Sequence, residues 1–122
     1  MVRWSVLVMR SFGPALAGLA WAMRTQRNLQ VHAIALCLVI FLGLWLRIAI
    51  WEWCAVLLAS GMVWAAELLN TALEVLCDRV STAHEEPIRI VKDVAAAAVM
   101  VTALAAATLG LLIFAPKLWA FF

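Results

Sequence analysis

Four polar side chains recur at helical spacing in a stretch of sequence that is otherwise rich in Ala, Leu and Val: Glu67, Asn70, Glu74 and Asp78. At about 100° per residue, an α-helix places all four within an arc of roughly 80°, so they form one polar stripe. A solvated helix end explains Asp78 and Glu74. An ionisable group inside a membrane costs up to about 3 kcal/mol and usually has a partner or a task, which makes Glu67 a candidate functional residue.

A row of carboxylates that extends from the membrane interior to water suits one particular chemistry. Two carboxylates and an amide can hold Mg²⁺ at the water end, while a more deeply placed carboxylate can accept a proton from an alcohol. Lys92 and Arg89 could bind phosphates on the same side, although either can equally be a residue that only orients the chain in the membrane. Together these groups indicate phosphoryl transfer from a soluble nucleotide to a membrane lipid.

The composition indicates an integral membrane protein. Of the 122 residues, 68% are hydrophobic and only 13% are charged, and the mean hydropathy is +1.07. The net charge of +2 and the lack of a long basic run argue against nucleic acid as a partner. Cys37, Cys54 and Cys77 occur singly without CxxC spacing, which argues against a disulfide framework or a zinc site.

The hydrophobic pattern predicts an all-α membrane protein with one domain, residues 1–122. We expect spans at about residues 29–47, 50–78 and 88–115, separated by charged and aromatic turns, with a helix restart near Pro87 and an end at Pro116. We expect residues 4–25 to form an amphipathic helix in the membrane surface. A short fourth span is the alternative, disfavoured by Arg10 and Pro14.

The distribution of Lys and Arg predicts the orientation. Only Arg47 and Lys117 fall on one side of the expected membrane, and the remaining cations fall on the other: Arg3, Arg10, Arg24, Arg27, Arg79, Arg89 and Lys92. The N-terminus and the loop near residues 79–92 are therefore expected in the cytoplasm, and the polar stripe is expected near the cytoplasmic face.

The sequence resembles a known family. The segments "AELLNTALEVLCDR" and "IRIVKDVAAAAV" are similar to the small prokaryotic integral-membrane diacylglycerol kinases, which include the undecaprenol kinases. That family has a Glu-x-x-Asn-x-x-x-Glu-x-x-x-Asp helix, a loop with a His, and a Lys-Asp pair opening the last span. "RSFGPALAGLAWAMRTQRNLQVH" and "LLIFAPKLW" resemble the undecaprenol kinase branch, and the resemblance covers about residues 8–119. The matching residues are Glu67, Asn70, Glu74, Asp78, His84, Lys92 and Asp93.

The resemblance implies a homotrimer in a bacterial inner membrane, with three spans and a surface helix per subunit, active sites shared between subunits, and ATP and Mg²⁺ as cofactors. It also implies roles for the matching residues. Glu67 would be the catalytic base towards a lipid hydroxyl, and Asn70 would support it. Glu74 would hold the metal, Lys92 would meet the phosphates, and the nucleotide side would be lined by Asp78 and Asp93.

One position departs from the family pattern. Gln26 stands where the family usually has a metal-binding Glu, and an amide keeps an oxygen ligand but loses a charge. A kinase with weakened metal binding, or an inactive homologue, is therefore an alternative. A small proton-coupled exporter also fits an intramembrane Glu, although its carboxylate should lie near mid-membrane. A purely structural membrane subunit is the third alternative.

Overall fold

A computed structural model describes the backbone of residues 2–122 and the side chains from Trp4 onward. It contains α1 (Val2–Thr25), α2 (Arg27–Trp45), α3 (Ile50–Val80) and α4 (Glu86–Trp119), and residues 2–122 include no β-strand. The all-α prediction is confirmed. By length and composition, all four helices are apolar enough to cross a membrane.

Local sequence explains where the helices begin and end. Gln26 is extended, with φ −103° and ψ 112°, and separates α1 from α2. At the other end of α2, Arg47 adopts a left-handed φ of 50°, which closes the short turn to α3. Ala49 donates its backbone N–H to Glu52 Oε2 at 2.7 Å, which satisfies one otherwise free group at the start of α3. Pro87 lies in the first turn of α4, so the predicted helix restart is confirmed.

Pro116 lies inside α4, which continues to Trp119. A proline removes one backbone hydrogen bond but leaves its own carbonyl free to accept, and Ala120 donates to the Pro116 carbonyl at 3.3 Å. Pro14 likewise lies inside α1 without ending it. With 31 and 34 residues, α3 and α4 are about 46 Å and 51 Å long and exceed the hydrocarbon thickness of about 30 Å.

The helices pack mainly through an antiparallel hairpin of α3 and α4, with α2 alongside α3. A core of Ile48, Val56, Ile113 and Phe114 lies at the end of the hairpin that carries the α2–α3 turn. Trp45 stacks on Phe121 beside it, with ring centroids 5.6 Å apart. The most apolar packing is therefore at the end of the bundle away from the polar stripe.

Close packing of α2 against the start of α3 depends on Gly43. A Cβ atom at this position would lie 2.6 Å from Trp53 Cη2, 2.7 Å from Trp53 Cζ2 and 3.2 Å from Ile48 Cδ1. Real Cβ atoms do not approach an indole ring this closely, so any larger residue must displace Trp53 from the core.

We predict that Gly43→Ala lowers the free energy of unfolding by about 1–3 kcal/mol, the usual cost of overpacking. Denaturation in detergent micelles measures this change. Gly61→Ala is the matched control, since a Cβ there meets nothing within 4 Å and alanine favours a helix. Equal stability of the two variants would show that the Trp53 contact does not restrict residue 43.

Candidate active site

The polar stripe continues the buried face of α3. Val56 and Val63 lie on this face and are 6% and 5% exposed, and towards the C-terminal end of α3 the face carries Glu67 and Asn70 at 2% and 6%. The helical period forces this result, because positions 56, 63, 67 and 70 share one arc of roughly 60°. Glu67 therefore lies on the same face of α3 as Val63, one turn earlier, and Val56, three turns earlier.

Two buried oxygen atoms lack a hydrogen-bond partner among the side chains from Trp4 onward: Glu67 Oε2 and Asn70 Oδ1. The other end of the Asn70 amide is occupied, because its Nδ2 donates to Glu74 Oε1 at 3.1 Å. A buried acceptor without a donor is costly and rare in folded proteins. Both atoms are thus suited to a group that donates a hydrogen bond from outside the chain, such as a hydroxyl, or to a cation.

Lys92 joins the two long helices at the end of the stripe. Its ammonium group forms an ion pair with Asp78; the Asp78 side chain is largely exposed and the Lys92 side chain is partly exposed. Asp78 lies 11 residues beyond Glu67, a rise of about 16 Å along α3. The stripe therefore runs from a buried carboxylate to an exposed ion pair, and Lys92 can exchange its carboxylate partner for another anion at little cost.

Arg89 has a different set of partners. Its guanidinium donates to Glu86 at 2.6 Å and to Asp93 at 2.8 Å, and all three residues are on the first turns of α4. These exposed pairs hold the start of α4 together and keep Asp93 next to Arg89. Of the two cations predicted to meet phosphates, only Lys92 contacts the polar stripe directly.

Gln26 is half-buried in the break between α1 and α2, and its Nε2 lies 3.5 Å from Thr25 Oγ1. The hydrogen bonds of the described side chains do not join it to Glu74. In the same part of the chain, no three His, Cys, Asp or Glu side chains are grouped as a metal site. The structure thus brings together Asn70 with Glu74 and Asp78 with Lys92.

An apolar groove of about 560 Å³ lies between α2, α3 and α4. Val63 and Trp64 line it one helical turn from Glu67, and Ala103 lines it from α4. His32 on α2 also lines this groove. On α3, the lining of this apolar groove therefore ends one helical turn before Glu67.

Sequence reasoning missed one charged pair at the opposite end of the hairpin. Lys117 Nζ lies 3.0 Å from Glu52 Oε1, and the Glu52 side chain is only 7% exposed. Both residues belong to segments that were treated as simple surface turns. The signal available in the sequence was that one acid and one base lie at the same expected membrane face, 65 residues apart.

Fold and site together define a helical membrane protein with a buried carboxylate, an apolar groove that begins one helical turn from it, and a carboxylate–lysine pair at the end of the polar stripe. Comparison with known proteins agrees with this class. Residues 13–114 match the prokaryotic diacylglycerol kinase family, and the chain belongs to that family.

Two curated relatives are similar over most of this chain. The undecaprenol kinase of Bacillus subtilis (strain 168) is 41% identical over 109 residues, which cover 89% of this chain and 89% of the relative. The diacylglycerol kinase of a Synechocystis species is 38% identical over 109 residues, which cover 88% of this chain but only 62% of that relative. The predicted family is confirmed, and with it the prediction of a lipid kinase.

We predict that Lys92→Met leaves the unfolding midpoint in micelles unchanged, because the ion pair that it removes is exposed and screened. The binding of a nucleotide, measured by fluorescence or calorimetry, should weaken strongly in the same variant. Arg89→Met is the comparison, since the ion pairs of Arg89 are with Glu86 and Asp93 of its own helix, and its effect on nucleotide binding should be smaller. A lower midpoint for Lys92→Met would mean that the pair supports the fold.

Proposed function

We propose that this protein transfers the γ-phosphate of ATP to the hydroxyl of a membrane lipid alcohol, either diacylglycerol or undecaprenol. The observation that carries the proposal is the unpartnered, buried Glu67 Oε2, one helical turn from the Val63 and Trp64 lining of an apolar groove. A lipid alcohol fits both the carboxylate and the groove. Its hydroxyl would donate a hydrogen bond to the Glu67 carboxylate, and its hydrocarbon chain would fit the apolar groove.

Glu67 would act as the general base. Its Oε2 accepts the proton of the lipid hydroxyl while the hydroxyl oxygen forms a bond to the γ-phosphorus. The bond from that phosphorus to the bridging oxygen breaks, and ADP leaves. Asn70 holds the neighbouring Glu74 through its Nδ2, and its free Oδ1 is a second acceptor for polar groups of the lipid.

The exposed end of the stripe would receive the nucleotide. Lys92 would leave Asp78 for the phosphates, since an ammonium group gains more from a multiply charged phosphate than from one solvated carboxylate. Asp78 and Asp93 would line the nucleotide side, and Arg89 lies beside Asp93. This arrangement keeps the charged co-substrate in water and the lipid at the buried end.

The oxygen-rich side chains of this region fit Mg²⁺, which prefers carboxylate and carbonyl oxygens. The Asn70 amide fixes one oxygen of Glu74 and leaves the rest of that carboxylate free for a cation. Glu74 and Gln26 are the proposed ligands. Bound there, Mg²⁺ would neutralise phosphate charge during transfer.

We further infer that α2, α3 and α4 cross a bacterial inner membrane and that α1 lies in the cytoplasmic interface, with the N-terminus in the cytoplasm. The cations of α1, including Arg10 and Arg24, support the interfacial position. We also infer from the family resemblance that the protein forms a homotrimer with active sites shared between subunits.

We predict that Glu67→Gln lowers kcat by at least about 10²-fold, because an amide does not accept the hydroxyl proton. Labelled phosphate transfer in mixed micelles measures it, and helix content and oligomeric state should stay unchanged. Glu85→Gln is the matched control, since this exposed side chain accepts only from Ser81 and an amide oxygen still can. Wild-type turnover in Glu67→Gln would remove Glu67 from the mechanism.

We predict that Gln26→Glu lowers the Mg²⁺ concentration needed for half-maximal activity, because it restores a negative ligand. Titrating Mg²⁺ at fixed ATP measures this change. The result also tests the alternative of a weakened kinase, for which the Glu variant should gain turnover at limiting Mg²⁺. An unchanged Mg²⁺ dependence would show that residue 26 does not hold the metal.

A further inference from the structure

A second charged cluster lies at the end of the hairpin opposite to the polar stripe. Lys117 Nζ is 3.0 Å from Glu52 Oε1, and Glu52 Oε2 accepts the Ala49 N–H at 2.7 Å. Both oxygens of this buried carboxylate therefore have a donor. Glu52 is in the first turn of α3 and Lys117 is in the last turn of α4, so each charge also complements the dipole of its own helix.

The two interhelical ion pairs are compatible with the same register between α3 and α4. Twenty-six residues separate Glu52 from Asp78 on α3, and 25 residues separate Lys92 from Lys117 on the antiparallel α4. At 1.5 Å per residue, these separations are about 39 Å and 38 Å, so both pairs form without stretching either helix. A slip of one helical turn would break both.

Side-chain bulk restrains such a slip mainly at one end of the hairpin. Many of the residues that line the grooves between α3 and α4 are small, among them Ala55, Ala59, Ser60, Ala103, Ala105 and Ala106. Small side chains let helix backbones approach but interlock weakly. The register then depends on the ion pairs at the two ends and, at the Glu52 end, also on the core of Val56, Ile113 and Phe114.

Of these two contacts, the one far from the polar stripe is the better anchor. Asp78 and Lys92 have side chains that are 65% and 37% exposed, so water and salt weaken their attraction, and a nucleotide would compete for Lys92. Glu52 is 7% exposed and cannot lose Lys117 without leaving a buried charge unpaired. Fixing register is the best-supported role of buried polar pairs.

We propose that Glu52 and Lys117 are positioning residues for phosphoryl transfer: their ion pair sets the α3–α4 register and thereby holds Lys92 beside the polar stripe, about 39 Å away. This inference rests on the proposed function for its effect on catalysis. Its structural part, the register, is measurable without any activity.

The test combines a distance measurement with kinetics on the full chain. Spin labels on Leu58→Cys and Val94→Cys, in a chain whose own cysteines are replaced by alanine, are on exposed positions of α3 and α4. They lie about 26 Å apart along the helix axes, and a one-turn slip changes that separation by about 5 Å. Pulsed electron resonance reads this distance after dilution with unlabelled protein in vesicles.

Lys117→Met should shift or broaden the distance distribution by about 5 Å, lower kcat by about 10²-fold and raise KM for ATP more than KM for the lipid. The unequal effect on the two KM values separates misplacement of Lys92 from simple loss of folded protein. Lys117→Arg should restore the distance and most of the turnover. Arg47→Gln, which removes the other outer cation, should change neither.

A wild-type distance in Lys117→Met, or a changed distance with wild-type kinetics, would overturn the proposal. If Lys117→Met does not fold, the proposal is tested instead with the double variant Glu52→Gln and Lys117→Met. This variant leaves no unpaired charge and keeps a hydrogen-bond acceptor for the Ala49 N–H. It should fold with the altered distance, and a wild-type distance there contradicts the proposal. If the wild-type protein transfers no phosphate, only the proposed function is contradicted. The spin-label distances still test whether the ion pair sets the α3–α4 register.

Discussion

The central constraint on this structure is a carboxylate buried in an apolar helix bundle with one oxygen left without a donor. Glu67 is 2% exposed, and the side chains before it on the same face are valines. A sequence selected only for packing would place another valine or alanine there. An unsatisfied buried oxygen costs free energy, and a hydrogen-bond donor from outside the chain removes that cost. The bundle therefore contains a buried acceptor that is suited to an incoming donor.

The remaining architecture connects that buried oxygen to water. The polar stripe rises about 16 Å from Glu67 to Asp78, which is enough to join a lipid hydroxyl below the interface to a nucleotide above it. The long α3–α4 hairpin makes this possible with one pair of helices, because each is longer than the hydrocarbon is thick. Ion pairs at both ends of the hairpin then fix the position of Lys92 relative to the polar stripe.

The helical period made the burial of Glu67 and Asn70 predictable, and Pro87 made the start of α4 predictable. Local chemistry also implied the Asn70–Glu74 hydrogen bond, since residues four apart are neighbours on a helix. The Glu52–Lys117 pair was not predictable, because the register of two helices is a tertiary property that neither segment carries alone. The continuation of α4 past Pro116 is a tertiary effect of the same kind: a proline near a helix end loses one backbone hydrogen bond, and packing of neighbours such as Phe114 and Leu118 offsets that loss.

The most direct measurement supplies diacylglycerol and undecaprenol together to the folded protein in mixed micelles, with ATP labelled at the γ-phosphate and Mg²⁺ present. Extraction then separates the two lipid products from the aqueous nucleotide. Lipid kinase activity predicts that label appears in at least one of the two phosphorylated lipids and that its amount rises with time and with lipid concentration. Label that stays entirely in the aqueous phase, with the fold of the protein verified in the same sample, would contradict it.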